Sequence, residues 1–477
     1  MTAPDFLALL DRPDPRGVAL EDSRRSMSYQ ELATSVQQMA AGLARLGVDL
    51  GDRVAVMLPN SVASVEVYLA CAMTGAIWVG VNPAAPEAER QRQRALVTPT
   101  LTITEQDLPS LAADETFDAP PPDPSVPCAI GFTSGTTGTP KAFVHSRSAV
   151  SLLAAVLAEA QLRADDRIGV VLPMSIHNLI AVGALPALFA QATCVAVERM
   201  NARGVAYACR DRKLTMVNAL VPATIYDLVH DDEITADMLA SLRVAGTGAA
   251  GLSEPLRSAF ESKFGRRLIG SYGMTEAPGV VCIEDPEVPH AAGSAGKPLP
   301  HLAVHACDEH GRRLVVGQQG ALTVSAAVSG AWANMYLPAA GTWTPDGFAP
   351  RPGAERCLRT GDYGWVDADG AVHVNGRTAE VIVRGGVNVN AAELESVLGQ
   401  LPGVRDVAVV GEDDERLGQR IVAYVETAPG GTVDIAQVRL QAREVLSHSK
   451  VPDEFVITRL PRNPMGKVVR GQLKGGS

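Results

Sequence analysis

Six short apolar runs set the terms of the fold: Val54–Leu58, Ile77–Val81, Cys128–Phe132, Ile168–Leu172, Thr215–Val217 and Leu268–Ile269. Each has the length of a short buried strand, and segments of helical period separate several of them. The clearest predicted helix runs from Ser28 to Leu46. There Tyr29, Leu32, Val36, Leu43 and Leu46 form one apolar stripe behind a Ser28-x-x-Glu31 capping box. Strands alternating with helices in this way predict an α/β fold with a mainly parallel sheet under helices. The nearly all-apolar stretch Leu179–Val197 approaches the length of a membrane span. Pro186, Gln191 and Thr193 interrupt it, and it reads as a buried helix followed by a buried strand.

A chain of 477 residues exceeds one ordinary domain. A Pro-rich linker spans Ala119–Pro127, and from about Gly296 to Asn375 short strands alternate with Gly and Asp turns, the texture of a small β subdomain. After Arg377 a new unit begins, with predicted strands at Val381–Val383 and Val407–Val410. Its predicted helices open at an Asn390-x-x-Glu393 cap and run around Val438–Leu446. The expected division is therefore a large unit over residues 1–377, containing the β subdomain at about 296–375, and a small α+β unit over 378–477.

A net charge of -11 argues against general affinity for nucleic acid or anionic membranes, which need positive surfaces. The balance reverses locally, since residues 439–477 hold eight Lys/Arg against three Asp/Glu, a basic tail on an acidic body. The seven cysteines form no CxxC pair and no cluster at zinc spacing, which suits a reducing compartment. With no basic region ahead of the short apolar run near the N-terminus, a cytoplasmic protein is expected, as monomer or homodimer.

The densest chemical signal is Thr133-Ser-Gly-Thr-Thr-Gly-Thr-Pro-Lys141, directly after the run ending at Phe132. Glycines permit close backbone approach, hydroxyls and N–H groups can wrap phosphate oxygens, and Lys141 adds a compact positive charge. It is not a Walker A loop, because the GxxxxGK[ST] spacing is absent and Pro140 precedes the lysine.

This loop resembles that of the adenylate-forming (AMP-binding) superfamily, which includes acyl-CoA synthetases, aryl- and fatty-acid ligases and free-standing adenylation domains. The resemblance recurs in the family's order at Gly270-Ser-Tyr-Gly-Met-Thr-Glu-Ala277, Arg359-Thr-Gly-Asp362 and Gly376-Arg377, then at Val381-Ile-Val-Arg-Gly-Gly386 and Pro461-Arg-Asn-Pro-Met-Gly-Lys467. Looser matches at Gly51–Val54 and Leu58-Pro-Asn60 extend it over nearly the whole chain. It implies a large N-terminal domain of two helix-covered, mainly parallel sheets plus a β subdomain, followed by a mobile α+β C-terminal domain.

The same resemblance implies residue roles. Thr133, Ser134, Gly135, Thr136, Thr137, Gly138 and Lys141 would hold the β- and γ-phosphates of ATP. Ser271, Tyr272 and Gly273 belong to the nucleotide motif, with Tyr272 lying on adenine. Thr275 would contact the α-phosphate, Glu276 would hold Mg²⁺, Asp362 would accept the ribose hydroxyls with Arg377 beside it, and Lys467 would be the catalytic lysine. The implied reaction joins a carboxylic acid to AMP with release of pyrophosphate, then hands the acyl group to the thiol of coenzyme A or of a carrier protein's phosphopantetheine. Use of the adenylate to form an amide stays open.

The acid pocket implied by the family draws on the segment after Ile168–Leu172, on Asn218–Val221, on the Gly246–Ala250 turn with Gly248 and Ala249, and on the stretch containing Gly273 and Met274. The first segment reads Pro173-Met-Ser-Ile-His-Asn178 and lacks the aspartate that amino-acid-adenylating domains place there. His177-Asn178 is similar to the pair in ligases for hydroxy-aryl acids, so an aryl or small hydrophobic acid is expected. Packing or gating by His177 and helix capping by Asn178 are the alternatives. Three departures stand out: Ala379 with Glu380 at the family's polar hinge, Ala142 after the loop lysine in place of glycine, and a long connection between Asp346-Gly347 and Thr360–Asp362.

Overall fold

The predicted N-terminal helix forms over Tyr29–Arg45. Ser28 Oγ accepts from the Glu31 N–H at 3.2 Å while the Glu31 carboxylate takes the Ser28 N–H at 2.7 Å, so the capping box is closed from both sides. The computed structural model describes residues 4–11, 17–133, 141–248, 252–277, 279–327, 341–350, 357–377, 380–384, 387–427, 433–447, 450–462 and 468–473.

Two large sheets organise the N-terminal part. In the seven-stranded sheet, Leu101–Ile103, Arg53–Val56, Ile77–Gly80 and Pro127–Thr133 run parallel. Lys141–Ser146, Gly341–Thr344 and Gly347–Pro350 extend it antiparallel. The nine-stranded sheet has a parallel centre of Val18–Glu21, Thr193–Ala196, Arg167–Val170, Met216–Leu220, Val244–Thr247 and Leu268–Met274. All six apolar runs are strands, shifted or extended at their ends.

The helix Val62–Thr74 is buried on nearly every side and contributes to the core shared by both sheets. The stretch from Leu179 also folds inward as expected: helical turns cover His177–Ala190, with a π-turn at Ile180–Ala184, and the strand Thr193–Ala196 follows. No helix among the described residues is long and apolar enough to cross a membrane.

Buried Asn60 ties the two halves together. Its Nδ2 donates to the carbonyls of Leu172 (2.9 Å), Val197 (3.1 Å) and Val170 (3.3 Å), and its Oδ1 accepts from the Met174 N–H at 2.7 Å. One side chain thereby satisfies the ends of two strands just where the pocket segment Pro173–Asn178 begins.

The β-rich region is a four-stranded antiparallel sheet of Leu302–Cys307, Gly320–Ala326, Cys357–Val366 and Val372–Arg377. Beyond Glu380 the chain builds its own five-stranded sheet around Gly418–Thr427, with the helices Ala391–Leu398 and Ile435–Val445. Its core, which includes Leu394, Leu398, Val409, Ile421 and Phe455, is separate from that of the large sheets. Asn390 caps the first helix, but Glu393 does not close a box with it and pairs instead with Lys450 at 2.5 Å.

Candidate active site

The strands Pro127–Thr133 and Lys141–Ser146 pair on either side of the Thr/Ser/Gly segment. Thr133 stands opposite Lys141, Gly131 opposite Phe143 and Ala129 opposite His145, and alternation puts all six on one face. Lys141 is exposed at the mouth of the loop. Ser134, Gly135, Thr136, Thr137 and Gly138 lie outside the described residues. Ala142 points to the opposite face, where its methyl packs with Ile130 and Val144 in a small core, so a side chain there stays clear of the loop side.

Gly131 is the close approach that joins this hairpin to the second sheet. A Cβ on it would lie 2.7 Å from Thr275 Cγ2 and within 4 Å of His145 Nε2 and His177 Cβ. Thr275 follows directly on the strand Leu268–Met274, in the turn from Met274 to Ala277, with half-buried Glu276 as its neighbour. Thr275, after the strand Leu268–Met274, therefore meets the strand that leads into the Thr133–Lys141 segment.

Behind Thr275 lies a buried aromatic and polar cluster. The rings of His145 and His177 stack at 4.9 Å and 9°, and His177 Nε2 shares a 3.2 Å hydrogen bond with Tyr68 Oη. Trp78 packs edge-on to Tyr68 and 6.1 Å from the His177 ring. Burial drives the His145 pKa down to about 4. The Thr275 backbone opposes that shift only in part, since neither ring nitrogen makes a full hydrogen bond with a described residue. Burial, then the neighbouring His145, holds His177 well below the usual histidine range, so both rings are neutral. His177 Nδ1, Ser175 Oγ, Asn178 Oδ1 and Trp78 Nε1 are also buried without a hydrogen-bond partner among the described residues. Asn178 lies inside its helical turn, whose N-cap is Ile176, so it is not a cap.

Of the other segments expected to line an acid pocket, Asn218–Val221 reaches the same helical stretch. Asn218 Nδ2 donates to the Val182 carbonyl at 2.8 Å, within the π-turn, and Ala219 sits at φ +60° where the strand Met216–Leu220 breaks register. Gly248 is buried with Ser271 Oγ only 2.7 Å from where its Cβ would be, and Ser271 Oγ itself donates to the Thr247 carbonyl at 3.1 Å. At Gly273 a Cβ would fall 1.8 Å from the Gly279 carbonyl oxygen, so no side chain fits. Met274 is buried beside it. Ala249 lies outside the described residues.

The third cluster comes from three strands. Tyr272 Oη donates to Asp362 Oδ2 at 2.5 Å, and Arg377 Nε reaches Asp362 Oδ1 at 2.9 Å across the Asp362↔Arg377 register pair. The Thr360 hydroxyl accepts the Asp362 N–H at 3.0 Å and fixes the turn. Burial and the adjacent carboxylate push the Tyr272 phenol far above its ordinary pKa, so it acts as a donor. Lys467 lies outside the described residues; Arg462 and Val468, which flank 463–467, pair as an antiparallel bridge.

His145, Tyr68, Trp78 and Gly131 carry no weight in a motif reading. His145 alone had a signal, because strand alternation from Lys141 through Phe143 places it on the loop face.

Residues 10–336 match the AMP-binding enzyme family, and residues 393–467 match the AMP-binding enzyme C-terminal domain. The chain belongs to the AMP-binding enzyme family. It is 31% identical to an indoleacetate–CoA ligase of Aromatoleum aromaticum over 97% of this chain and 95% of that one. It is 30% identical to a feruloyl-CoA synthase of an Amycolatopsis species over 97% and 96%. Among solved structures it superposes on ATP-bound MatB from Rhodopseudomonas palustris with a TM-score of 0.89 at 25% identity, covering 99% of this chain and 98% of that one. Against the apo form of the same protein the TM-score is 0.77, so the chain's arrangement is nearer to the ATP-bound form. As a member of this family the protein is an ATP-dependent acid–thiol ligase.

Proposed function

We propose that the protein activates an aryl or small hydrophobic carboxylic acid as its acyl-adenylate and transfers the acyl group to coenzyme A. The observation that carries this reading is the contact of Thr275 with Gly131. A hydroxyl residue against the strand that leads into the Thr133–Lys141 segment, and three positions after Tyr272, supports an α-phosphate bound between that segment and an adenosine at the Tyr272–Asp362–Arg377 cluster.

On this reading the loop from Thr133 to Lys141 grips the β- and γ-phosphates, the Tyr272 ring covers adenine, and the Asp362 carboxylate accepts from the ribose hydroxyls. A carboxylate oxygen of the acid attacks the α-phosphorus and the bond to pyrophosphate breaks. Thr275 and Lys467 offset the negative charge that builds on the α-phosphoryl oxygens. Glu276, half-buried and without an ion pair among the described residues, would hold Mg²⁺ through its carboxylate, and the cation would supply charge neutralisation there. The coenzyme A sulfur then attacks the acyl carbonyl, AMP departs, and the thiol proton is lost to solvent or base. The C-terminal unit over 378–477 would swing between the two steps and carry Lys467 in and out.

Two observations support an aryl acid: the relatives are named for indoleacetate and ferulate, and the pocket segment holds His177 and Asn178 next to an aromatic cluster. Coenzyme A is favoured over a carrier protein because the indoleacetate and ferulate relatives are coenzyme A ligases. Pyrophosphate–ATP exchange with aryl, alkyl and amino acids, with and without coenzyme A, tests both points. Exchange and thioester with aryl acids are expected. Exchange confined to amino acids, or pyrophosphate release without thioester, would refute the assignment.

A further inference from the structure

The short helix Pro222–His230 follows closely on the strand Met216–Leu220, and in its middle Tyr226 and Asp227 meet the C-terminal unit. Arg405, from the strand Val404–Asp414, meets both. Its guanidinium carbon stands 4.9 Å from the centre of the Tyr226 ring, and Nη2 lies 3.7 Å from Asp227 Oδ1. The Tyr226 ring is backed by His230, stacked at 4.0 Å, whose Nδ1 shares a 2.8 Å hydrogen bond with the Tyr226 carbonyl. The ring is therefore held in place to receive a cation.

On its other side Arg405 is anchored to the segment that carries the lysine motif. Arg405 Nη1 donates to Glu426 Oε1 at 3.2 Å. The second oxygen of that buried carboxylate takes Arg462 Nη2 and the Leu460 N–H, each at 3.2 Å. Arg462 Nη2 also reaches Asp406 Oδ2 at 2.5 Å, and Asp406 stands opposite Glu426 across the two strands. Arg462 is the last described residue before 463–467, and Val469 N–H to Pro461 carbonyl, at 2.8 Å, closes the chain around that segment. A continuous charged path thus runs from Tyr226 and Asp227 through Arg405 and Glu426 to Arg462, beside the stretch that ends in Lys467.

We propose that Arg405 is a positioning residue for adenylation: by docking on Tyr226 and Asp227 it registers the Lys467 segment against the N-terminal domain. This rests on the assignment of Lys467 as the adenylation lysine. A half-buried cation–π contact with a long ion pair to an exposed carboxylate is weak, which suits a contact that must hold for the first half-reaction and break for the second. Arg405 itself touches no substrate.

The test uses the full chain carrying Arg405→Ala, Arg405→Lys, Tyr226→Ala or Tyr226→Phe, with Lys467→Ala alongside. Both half-reactions are measured: pyrophosphate–ATP exchange, and thioester formation from supplied acyl-adenylate. Arg405→Ala and Tyr226→Ala should each slow the maximal exchange rate about fivefold, the size of one such contact. Thioester formation from the adenylate and the KM for ATP should stay level, and Tyr226→Phe, which keeps the ring, should restore exchange. The Arg405→Ala/Tyr226→Ala double variant should be no slower than either single one. Equal losses in both half-reactions, additive losses, or no loss would each overturn the role of Arg405. Tyr226 lies in the other domain, so its variants report on the contact even if Arg405→Ala fails to fold. If Lys467→Ala exchanges normally, it is the assignment of that lysine that fails, whatever the Arg405 variants do.

Discussion

The phenol of Tyr272 and the carboxylate of Asp362 are joined at 2.5 Å, although they belong to different sheets and lie 90 positions apart in the chain. With Arg377 on its other oxygen, Asp362 is held as an acceptor at the edge of the Tyr272 ring. Asp362→Ala should raise the KM for ATP by about 10- to 100-fold, the range for hydrogen bonds to a charged group. The KM for the acid should be unchanged. Tyr272→Phe should do less, because the ring remains. Exchange rates measured against each substrate in turn check this, and a change confined to the acid would contradict the placement.

The Gly131–Thr275 approach makes a reciprocal prediction. Gly131→Ala drives a methyl to 2.7 Å from Thr275 Cγ2, so adenylation should fall at least tenfold as Thr275 is displaced. The overpacking should cost about 1–3 kcal/mol of stability. Removing the opposing methyl with Thr275→Ser should recover part of both. A double variant no better than Gly131→Ala alone would mean that the steric account is wrong.

Local chemistry is why so much was readable in advance. The Ser28 capping box and the buried strands each depend on neighbours in the chain, and their elements formed with ends shifted by a few residues. What escaped the sequence is non-local. Nothing near His145 announces that it will stack on His177, and nothing near Glu393 says that Lys450, 57 positions on, will claim the carboxylate expected to close its cap. Arg405 reads as an ordinary surface charge until the fold sets Tyr226 under it.

Asn60 should be the costliest small substitution outside the site. Asn60→Ala leaves the Leu172 and Val197 carbonyls and the Met174 N–H without their partner, while the Val170 carbonyl keeps the Val197 N–H. At about 1–3 kcal/mol for each group stranded away from water, partly relieved by relaxation, a loss of roughly 3 kcal/mol is expected. Chemical denaturation should show it. Because the same bonds anchor Pro173–Asn178, the KM for the acid should rise in the folded fraction while that for ATP holds. A variant with unaltered stability would sink the clamp.

His145 gives the pH prediction. Free in the unfolded chain the imidazole titrates near 6.5, but in the fold burial holds it at about 4. Between these values the unfolded state binds a proton that the folded state excludes, so stability is full above pH 6.5 and drains as the pH falls toward 4. One group with this shift contributes about 1.4 kcal/mol per pH unit, or roughly 3 kcal/mol across the window. His177, depressed in the same direction, steepens the loss. His145→Phe keeps a ring against His177 but removes the titration, so its melting temperature should decline less between pH 7 and pH 5 than that of the parent. Parallel declines in the two proteins would mean that His145 accepts its proton without leaving the folded core, and the buried, neutral stack would have to be abandoned.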